Sequence, residues 1–448
     1  MTVSVKNFLR ETRLWVVWPI ILLVLTSFAY VGVKVPQHAQ FSPYDEYVYL
    51  DYLDKVPSQL IVHKNEEVGD FARNEISCRG VLNYGSFGEA CDRGTHRDDA
   101  KYPYGGLGGA DIYSPLYFMV TWTIAQPLTW FGIDLLDAGR LVGAVWLAAG
   151  LVLLYILMRR LGVPAPLALG LNLLVLATPA VFWADTYLST DAPGLAVGAG
   201  VGLLALLVGQ KKISVWWLVL ASGLSVLLKV QHLAPVALVG LALIAYRLQQ
   251  RFVERRGQAH GLHRPFVSLL GDRTIVIALL SLVAGVIAQA GWLIVRSALA
   301  VPARGPAAVA LDAQRLSSTA LINESFKFLF NAGFTDLGSG RTGLVAAHVV
   351  TALALTGIIG LIVTGASLPA HYRVIAVTTL VIALATGPAL AWAANSVAGY
   401  YFPLPLRYGF VLLPAFMVCA ALFVTAWRQS GWILLAGGGV AALLVIAL

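Results

Sequence analysis

The chain has 448 residues and a mass of 47.9 kDa, is 58 % hydrophobic and only 12 % charged, and has a mean hydropathy of +0.76. Soluble domains carry about 25 % charged residues, so a water-facing enzyme, a disordered tail and a small disulfide scaffold are excluded. The net charge is +8, but no basic stripe interleaves with aromatics, so the charges speak to membrane sidedness and not to nucleic acid.

A membrane span needs about 20 mainly apolar residues. In chain order the candidate spans are 14–33, 139–158, 164–183, 194–209, 214–228, 233–246, 274–295, 342–365, 374–392, 408–426 and 432–448. The expected fold class is therefore all-α: one polytopic transmembrane bundle of about eleven spans over 1–448. The first span follows Lys6, Arg10 and Arg13. Its apolar stretch of about 20 residues exceeds the 7–15 of a secretory signal, and no small-x-small site follows, so it reads as a retained helix with a cytoplasmic N-terminus.

Basic residues test that map. Arg159 and Arg160, Lys211 and Lys212, the run from Arg247 to Arg273, Arg373 and Arg428 all fall in connections on the N-terminal side. Of 23 acids only Glu11, Glu254 and Asp272 fall there, leaving 20 on the other side. The expected location is thus a multi-pass protein of the bacterial plasma membrane with its active site external.

Two external loops stand out, at about 34–138 and 296–341. Loops beyond about 12–15 residues are usually functional or disordered. In the first, Tyr44, Tyr47, Tyr49, Leu50, Tyr52 and Leu53 recur at helical spacing, so it is expected to fold onto the membrane face. On such a helix Asp45, Tyr49 and Tyr52 share one side. The apolar stretch from Ile112 to Trp130 reads as an interfacial or re-entrant helix, because a span there would move Arg159 and Arg160 outside. Cys78 and Cys91 share this loop and are expected to pair if it faces an oxidising compartment, whereas Cys419 sits in an apolar run as inert packing. The second loop carries Arg304, Asp312, Arg315, Glu324 and Asp336.

Several residues are able to carry chemistry. Asp45 and Glu46, in Ser42-Pro43-Tyr44-Asp45-Glu46-Tyr47, are adjacent carboxylates at a membrane exit, suited to a general base or a metal site, or simply to a solvated loop start. Three cations map to the same boundary: Arg140 at the start of the second span, Lys229 in Leu228-Lys229-Val230-Gln231-His232, and Arg407 in Leu406-Arg407-Tyr408. Each alone is explained by snorkelling, but three on one leaflet facing an Asp-Glu pair suit an anionic lipid headgroup. Asp191, in Ser189-Thr190-Asp191-Ala192-Pro193, either orients a substrate or caps the next helix, and Asp185 is of the same kind. His232 and Tyr408 neighbour two of the cations and join the substrate-orienting candidates. Gly105-Gly106-Leu107-Gly108-Gly109 lacks the Lys-Ser/Thr of a phosphate loop and reads as a flexible connection. Asn323-Glu324-Ser325 matches an N-glycosylation pattern common by chance, and His260 and His263 lack partner ligands.

Together these positions resemble the GT-C superfamily of membrane glycosyltransferases, nearest the branch of protein O-mannosyltransferases and bacterial aminoarabinose transferases. The matched features are Asp45-Glu46, Tyr113-Ser114-Pro115-Leu116-Tyr117, Arg140-Leu141, Arg159-Arg160-Leu161-Gly162, Ser189-Thr190-Asp191, Lys229, and Arg407-Tyr408 with Pro414. The resemblance implies inverting transfer of a sugar from a polyprenyl-phosphate donor to a glycan, lipid or protein acceptor on the non-cytoplasmic face. By position, Asp45 is then the base, Glu46 its partner, and Arg140, Lys229 and Arg407 the phosphate-binding set; a divalent cation, Mg or Mn, is compatible with the acidic pair. The branch usually has His-Pro-Pro where this chain has Tyr113-Ser114-Pro115, and a small residue or Pro where Tyr47 follows Glu46, which leaves the acceptor open. A transporter or lipid flippase and a non-catalytic scaffold are the alternative readings.

Overall fold

A computed structural model of the chain describes residues 5–92, 96, 98–257, 271–302, 313–364, 368–427 and 429–448, without the side chains of 5–16, 254–257 and 398. The described part is helical, with isolated β-bridges but no strand. In chain order the helices are α1 (Val5–Lys34), α2 (Glu46–Gln59), α3 (Asp70–Arg79), α4 (Leu116–Trp130), α5 (Leu135–Leu141) and α6 (Gly143–Arg160). They continue as α7 (Ala165–Leu176), α8 (Pro179–Asp185), α9 (Gly194–Gly209), α10 (Val215–Leu228), α11 (Leu233–Gly257) and α12 (Arg273–Ala298). The chain closes with α13 (Ser318–Phe330), α14 (Gly340–Val363), α15 (Ala370–Ala398), α16 (Leu413–Val424) and α17 (Ser430–Ala447).

Eight segments are long and apolar enough to cross a bilayer: Val17–Gln37, Leu135–Arg160, Val230–Val253, Arg273–Ala298, Gly340–Val363, Ala370–Val397, Leu406–Val424 and Ser430–Ala447. The pair α7 and α8 passes only as one element bent by 66°, and α9 and α10 are shorter apolar helices. Helices thus stand at all eleven expected places, though three fall short of a straight full-length span. The bend has a local cause. Pro179 at the first turn of α8 holds Thr178 in extended geometry (φ −78°, ψ 152°), so α7 stops there.

Close approach through small residues sets the packing, as expected where lipid removes the hydrophobic drive between helices. A Cβ at Gly438 would lie 2.2 Å from the Gly170 carbonyl oxygen, which lets α17 lie against α7. At Gly143 a Cβ would meet the Asp185 carbonyl oxygen at 1.9 Å, pinning the end of α8 to the start of α6. Side chains such as Trp18, Leu25, Ile287, Val345 and Leu443 point outward from the bundle, as a lipid-facing surface requires.

The first loop folds, as the Tyr-rich periodicity predicts. Residues of α2, α3 and α4 bury a second core (Phe41, Val48, Leu50, Tyr52, Leu53, Ile76, Phe118) that also takes in Leu136 and Leu188. The expected interfacial helix is α4, which packs on α2 and α5 and ends in the exposed Trp130 and Phe131. Residues 105–109, expected as a flexible connection, are tied down instead: the Gly106 carbonyl accepts from Val68 N at 2.9 Å and Gly108 N donates to the Glu66 carbonyl at 2.8 Å. The Cys78–Cys91 disulfide is formed and links the end of α3 to the following loop.

The helix ends sort into two groups. The first loop contacts α12 where Arg296 pairs with Asp111 (2.6 Å) and Trp292 donates to the Ile112 carbonyl (3.0 Å). At the far end of the bundle, Arg247 and Arg251 from α11 pair with Asp272 at 2.6 and 2.9 Å, and Tyr372 of α15 reaches the Leu161 carbonyl after α6. Arg304, Asp312, His260, His263 and Arg428 lie outside the described residues.

Candidate functional site

The sequence Ser42-Pro43-Tyr44-Asp45-Glu46 forms the turn into α2. Asp45 stands there with φ 65° and ψ 9°, a left-handed conformation that short polar residues tolerate best and others rarely adopt. That twist sends its carboxylate away from the Glu46 carboxylate, and the two neighbours enter different environments.

Glu46 is fully buried and paired with Arg140, also at 0 % exposure. Arg140 Nε donates to Oε1 at 2.8 Å and Nη2 to Oε2 at 2.9 Å, a bidentate fork. Leu188 N donates to Oε1 and Ser42 N to Oε2, both at 2.7 Å, so the four lone-pair positions of the carboxylate are occupied. The remaining Arg140 hydrogens go to the carbonyls of His38 (2.6 Å) and Gln40 (2.8 Å) and to Asp137 (3.2 Å), while Tyr187 lies beneath the guanidinium at 5.1 Å. This pair stitches the segment after α1, the α2 turn, α5 and the link after α8 together. It has no donor left for a phosphate and no carboxylate oxygen left for a metal or a proton. The structure thus separates Glu46 and Arg140 from the roles that position alone suggested.

Asp45 joins a different group. Arg407 Nη2 donates to its Oδ2 at 2.8 Å, and Arg407 Nε lies 3.6 Å from Asp191 Oδ2. Asp191 Oδ1 accepts from Lys229 Nζ at 2.6 Å. Two acids and two bases therefore form one chain, Asp45–Arg407–Asp191–Lys229, buried except at its Asp45 end, which is 30 % exposed; the α2 turn, the α8–α9 link, the α10–α11 link and the turn before α16 contribute them. Asp191 does not cap α9 with its side chain; its carbonyl takes Gly194 N at 2.8 Å, and its carboxylate is left for Lys229. Arg407 Nε and Nη1 are buried and donate no hydrogen bond. Unsatisfied buried donors cost free energy, so they mark a place prepared for an acceptor.

Aromatic rings enclose the cluster. Tyr44 lies 4.5 Å from the Arg407 guanidinium, Tyr408 and Tyr113 lie 5.2 and 5.5 Å from Lys229 Nζ, and the Tyr49 hydroxyl meets that of Tyr113 at 3.3 Å. Burial first, and then Asp336, push the Tyr44 hydroxyl up to about 12, so it is a neutral donor at physiological pH. Tyr104, from the first loop, donates to Asp45 Oδ1 at 2.6 Å. A small cavity of about 10 Å³ lies among Tyr44, Trp183, Asp191, Arg407 and Phe410.

A much larger apolar groove of about 390 Å³ lies between α9, α11, α15 and α16 and shares no lining residue with that cavity. Gly198, Val411 and Leu412 line its end nearest the cluster, and Gly209, Tyr246 and His371 its far end. From Gly198 to Gly209 it follows α9 for about 17 Å at 1.5 Å per residue, about half the 30 Å hydrocarbon thickness. A groove with glycines on one wall and Leu and Val on the others suits an unbranched or isoprenoid chain better than a polar solute.

Of the remaining candidates, Tyr408 sits in the site beneath both cations. His232 is buried beside Lys229, with Nδ1 committed to the Ser225 carbonyl at 2.8 Å. Asp185 is fully buried, neither carboxylate oxygen accepts a hydrogen bond, and it makes no ion pair with the four-residue chain. For a divalent cation the acidic pair does not fit, since Glu46 is saturated and Asp45 is held by Arg407 and Tyr104. Among the described residues the one cluster of potential metal ligands is Cys78, Cys91 and Asp92, whose two sulfurs are bonded to each other. Sequence reasoning passed over Tyr44, Tyr49, Tyr104 and Tyr113 as site residues; the available signal was the density of tyrosine in the two polar segments that flank α2 and α4. Compared with known proteins, the chain is matched by no family model and by no curated protein.

Proposed function

We propose that this protein is an inverting membrane glycosyltransferase of GT-C type that moves a sugar from a polyprenyl-phosphate donor to a hydroxyl acceptor. The observation that carries the reading is the setting of Arg407: a buried guanidinium beside Lys229, ion-paired to Asp45 and Asp191, whose Nε and Nη1 donate no hydrogen bond; an apolar groove starts on the neighbouring residues Val411 and Leu412. A single-chain lipid phosphate has the same two parts, an anionic head and a long apolar tail. Arg supplies planar paired donors to the phosphate and Lys a point charge.

In the donor-bound state the phosphate takes the Arg407 donors that now reach toward Asp45 and Asp191. That releases Asp45 Oδ2 from its ion pair and leaves it to accept a proton. The acceptor oxygen then bonds to the anomeric carbon from the face opposite the phosphate, which inverts the centre. The bond from that carbon to the phosphate oxygen breaks with its electron pair on the phosphate, and the acceptor proton passes to Asp45. Lys229 and Arg407 stabilise the charge that grows on the leaving phosphate inside a site shielded from water. Asp191 keeps Lys229 charged and aimed; Glu46 and Arg140 hold the α2 turn that presents Asp45.

Eleven spans with a cytoplasmic N-terminus follow the same reading. It places the 34–138 loop outside, where a Cys78–Cys91 disulfide is stable, and the Arg247–Asp272–Arg251 knot inside. A transporter or flippase would carry its ionisable groups near the bilayer midplane, whereas this cluster joins the ends of helices. The test is to incubate purified protein with a panel of polyprenyl-phosphate sugars and follow released lipid phosphate. Release that Arg407→Ala abolishes supports the reading; accumulation of intact substrate in vesicles, with no cleavage of any donor, refutes it.

A further inference from the structure

Tyr104 is the unusual member of the site. It lies at the tip of the turn Tyr102–Gly106, where Tyr104 (φ 57°), Gly105 (φ 63°) and Gly106 (φ 73°) succeed one another in left-handed conformations. A tyrosine there carries backbone strain that only surrounding contacts sustain. The base of the turn is fixed, since the Gly106 carbonyl takes both Val68 N (2.9 Å) and Arg73 Nη2 (3.2 Å). Its tip is not: a Cβ on Gly105 would meet nothing within 4 Å, and Tyr104 itself is 49 % exposed. The contact of the tip with the site is a single short bond, Tyr104 hydroxyl to Asp45 Oδ1 at 2.6 Å.

We infer that Asp45 Oδ1 is a hydroxyl-binding subsite, that the Tyr104 hydroxyl fills it in the resting protein, and that an acceptor hydroxyl enters by displacing that tip. This inference rests on the transferase reading for its chemistry. The geometry has three supports. Asp45 Oδ2 faces Arg407 and the donor side, so Oδ1 is the oxygen left for the acceptor. The group now bound at Oδ1 is a hydroxyl donor, the chemical class the acceptor must present. Of the cluster, Arg407, Lys229 and Asp191 are buried, whereas the Asp45 side chain is 30 % exposed and its hydroxyl partner Tyr104 49 % exposed, so the solvent-facing side of the cluster is the one that Tyr104 covers.

The placeholder has a second consequence, the exclusion of water. With Tyr104 in place, its hydroxyl holds the position on Oδ1 that solvent would otherwise take. Without it, water takes the acceptor's position. Its oxygen bonds to the anomeric carbon, the bond to the phosphate oxygen breaks with its pair on the phosphate, and the proton goes to Asp45, giving free sugar and lipid phosphate.

The experiment compares full-length wild type, Tyr104→Phe, Tyr104→Leu and the control Tyr84→Phe, whose ring is 71 % exposed in the same loop. Carbodiimide with glycine ethyl ester labels accessible carboxylates, and mass spectrometry reads the Asp45 peptide in protein without donor. Both Tyr104 variants are expected to raise Asp45 labelling about tenfold, the scale of one hydrogen bond to a charged group, with Tyr84→Phe unchanged. Given a polyprenyl-phosphate sugar and no acceptor, they are also expected to release free sugar faster than wild type. Increased labelling in a protein that cleaves no donor in any form would uphold the subsite and overturn the transferase reading. Unchanged labelling in folded, disulfide-bonded Tyr104→Phe and Tyr104→Leu would overturn the subsite, whether or not wild type transfers sugar.

Discussion

The Glu46–Arg140 pair allows the scaffold to be separated from the chemistry. Both side chains are at 0 % exposure, and Arg140 donates five hydrogen bonds. Removing one partner leaves the other as a buried charge without compensation, a loss of about 3–5 kcal/mol. Glu46→Gln and Arg140→Gln each create that situation, and each keeps a polar amide for part of the network. The double variant holds no unpaired charge, so its loss is expected to match that of either single variant instead of their sum, a coupling of about 3 kcal/mol. Unfolding by heat or denaturant in detergent micelles, followed by tryptophan fluorescence, measures the cycle. In parallel, lipid-phosphate release is scored per folded molecule. Stability losses that add up would refute the pairing argument. A fall of about a hundredfold in donor binding per folded molecule in Arg140→Gln would return Arg140 to the phosphate.

The other predictions concern the site and its supports. Asp45→Asn is expected to lower transfer by about 10²–10⁴-fold, the usual share of a general base, with folding unchanged; full activity would remove Asp45 from the mechanism. Gly198→Ala would press a Cβ to 2.5 Å from the Val411 carbonyl oxygen and displace the turn that carries Arg407, so stability is expected to fall by about 1–3 kcal/mol and donor KM, measured per folded molecule, to rise; an unchanged KM counts against the groove as the donor's site. Cys78→Ser is expected to cost about 2–4 kcal/mol of loop stability, since the bond closes 13 residues, and limited proteolysis in the 80–100 region reads it directly. Burial of Asp272 raises its pKa, but the hydrogen bonds from Arg247, Thr274 N and Arg251 outweigh burial and bring it to about 2. A depressed carboxylate gives stability that is present above its unfolded pKa near 4 and lost as pH falls toward 2. Asp272→Asn is expected to flatten the acid limb of the stability curve between those values, and an identical acid limb would refute the assignment.

The helices were legible because their cause is local. A bilayer has no hydrogen-bonding solvent, so a lipid-facing span satisfies its backbone as an apolar helix, and a one-dimensional hydropathy pattern records it. Eight of the eleven apolar stretches became helices long enough to cross for that reason, the other three became shorter or bent helices, and the bend at Thr178-Pro179 is a property of the dipeptide itself. Asp45, Asp191, Lys229 and Arg407 were also recognisable, because charges beside apolar helix ends are costly and few. Which charge meets which was not. Glu46 differs from Asp45 by one position and one methylene, yet a left-handed turn sends one carboxylate to Arg140 and the other to Arg407. Arg140 looked equivalent to Arg407 until the carbonyls of His38 and Gln40, a hundred residues away in the chain, arrived to take its donors. Tyr104 reaches Asp45 across 59 residues. Composition and spacing determine where a polar group lies along the membrane normal; its partners depend on lateral packing of helices distant in sequence, and saturation or availability of its donors is therefore a tertiary property.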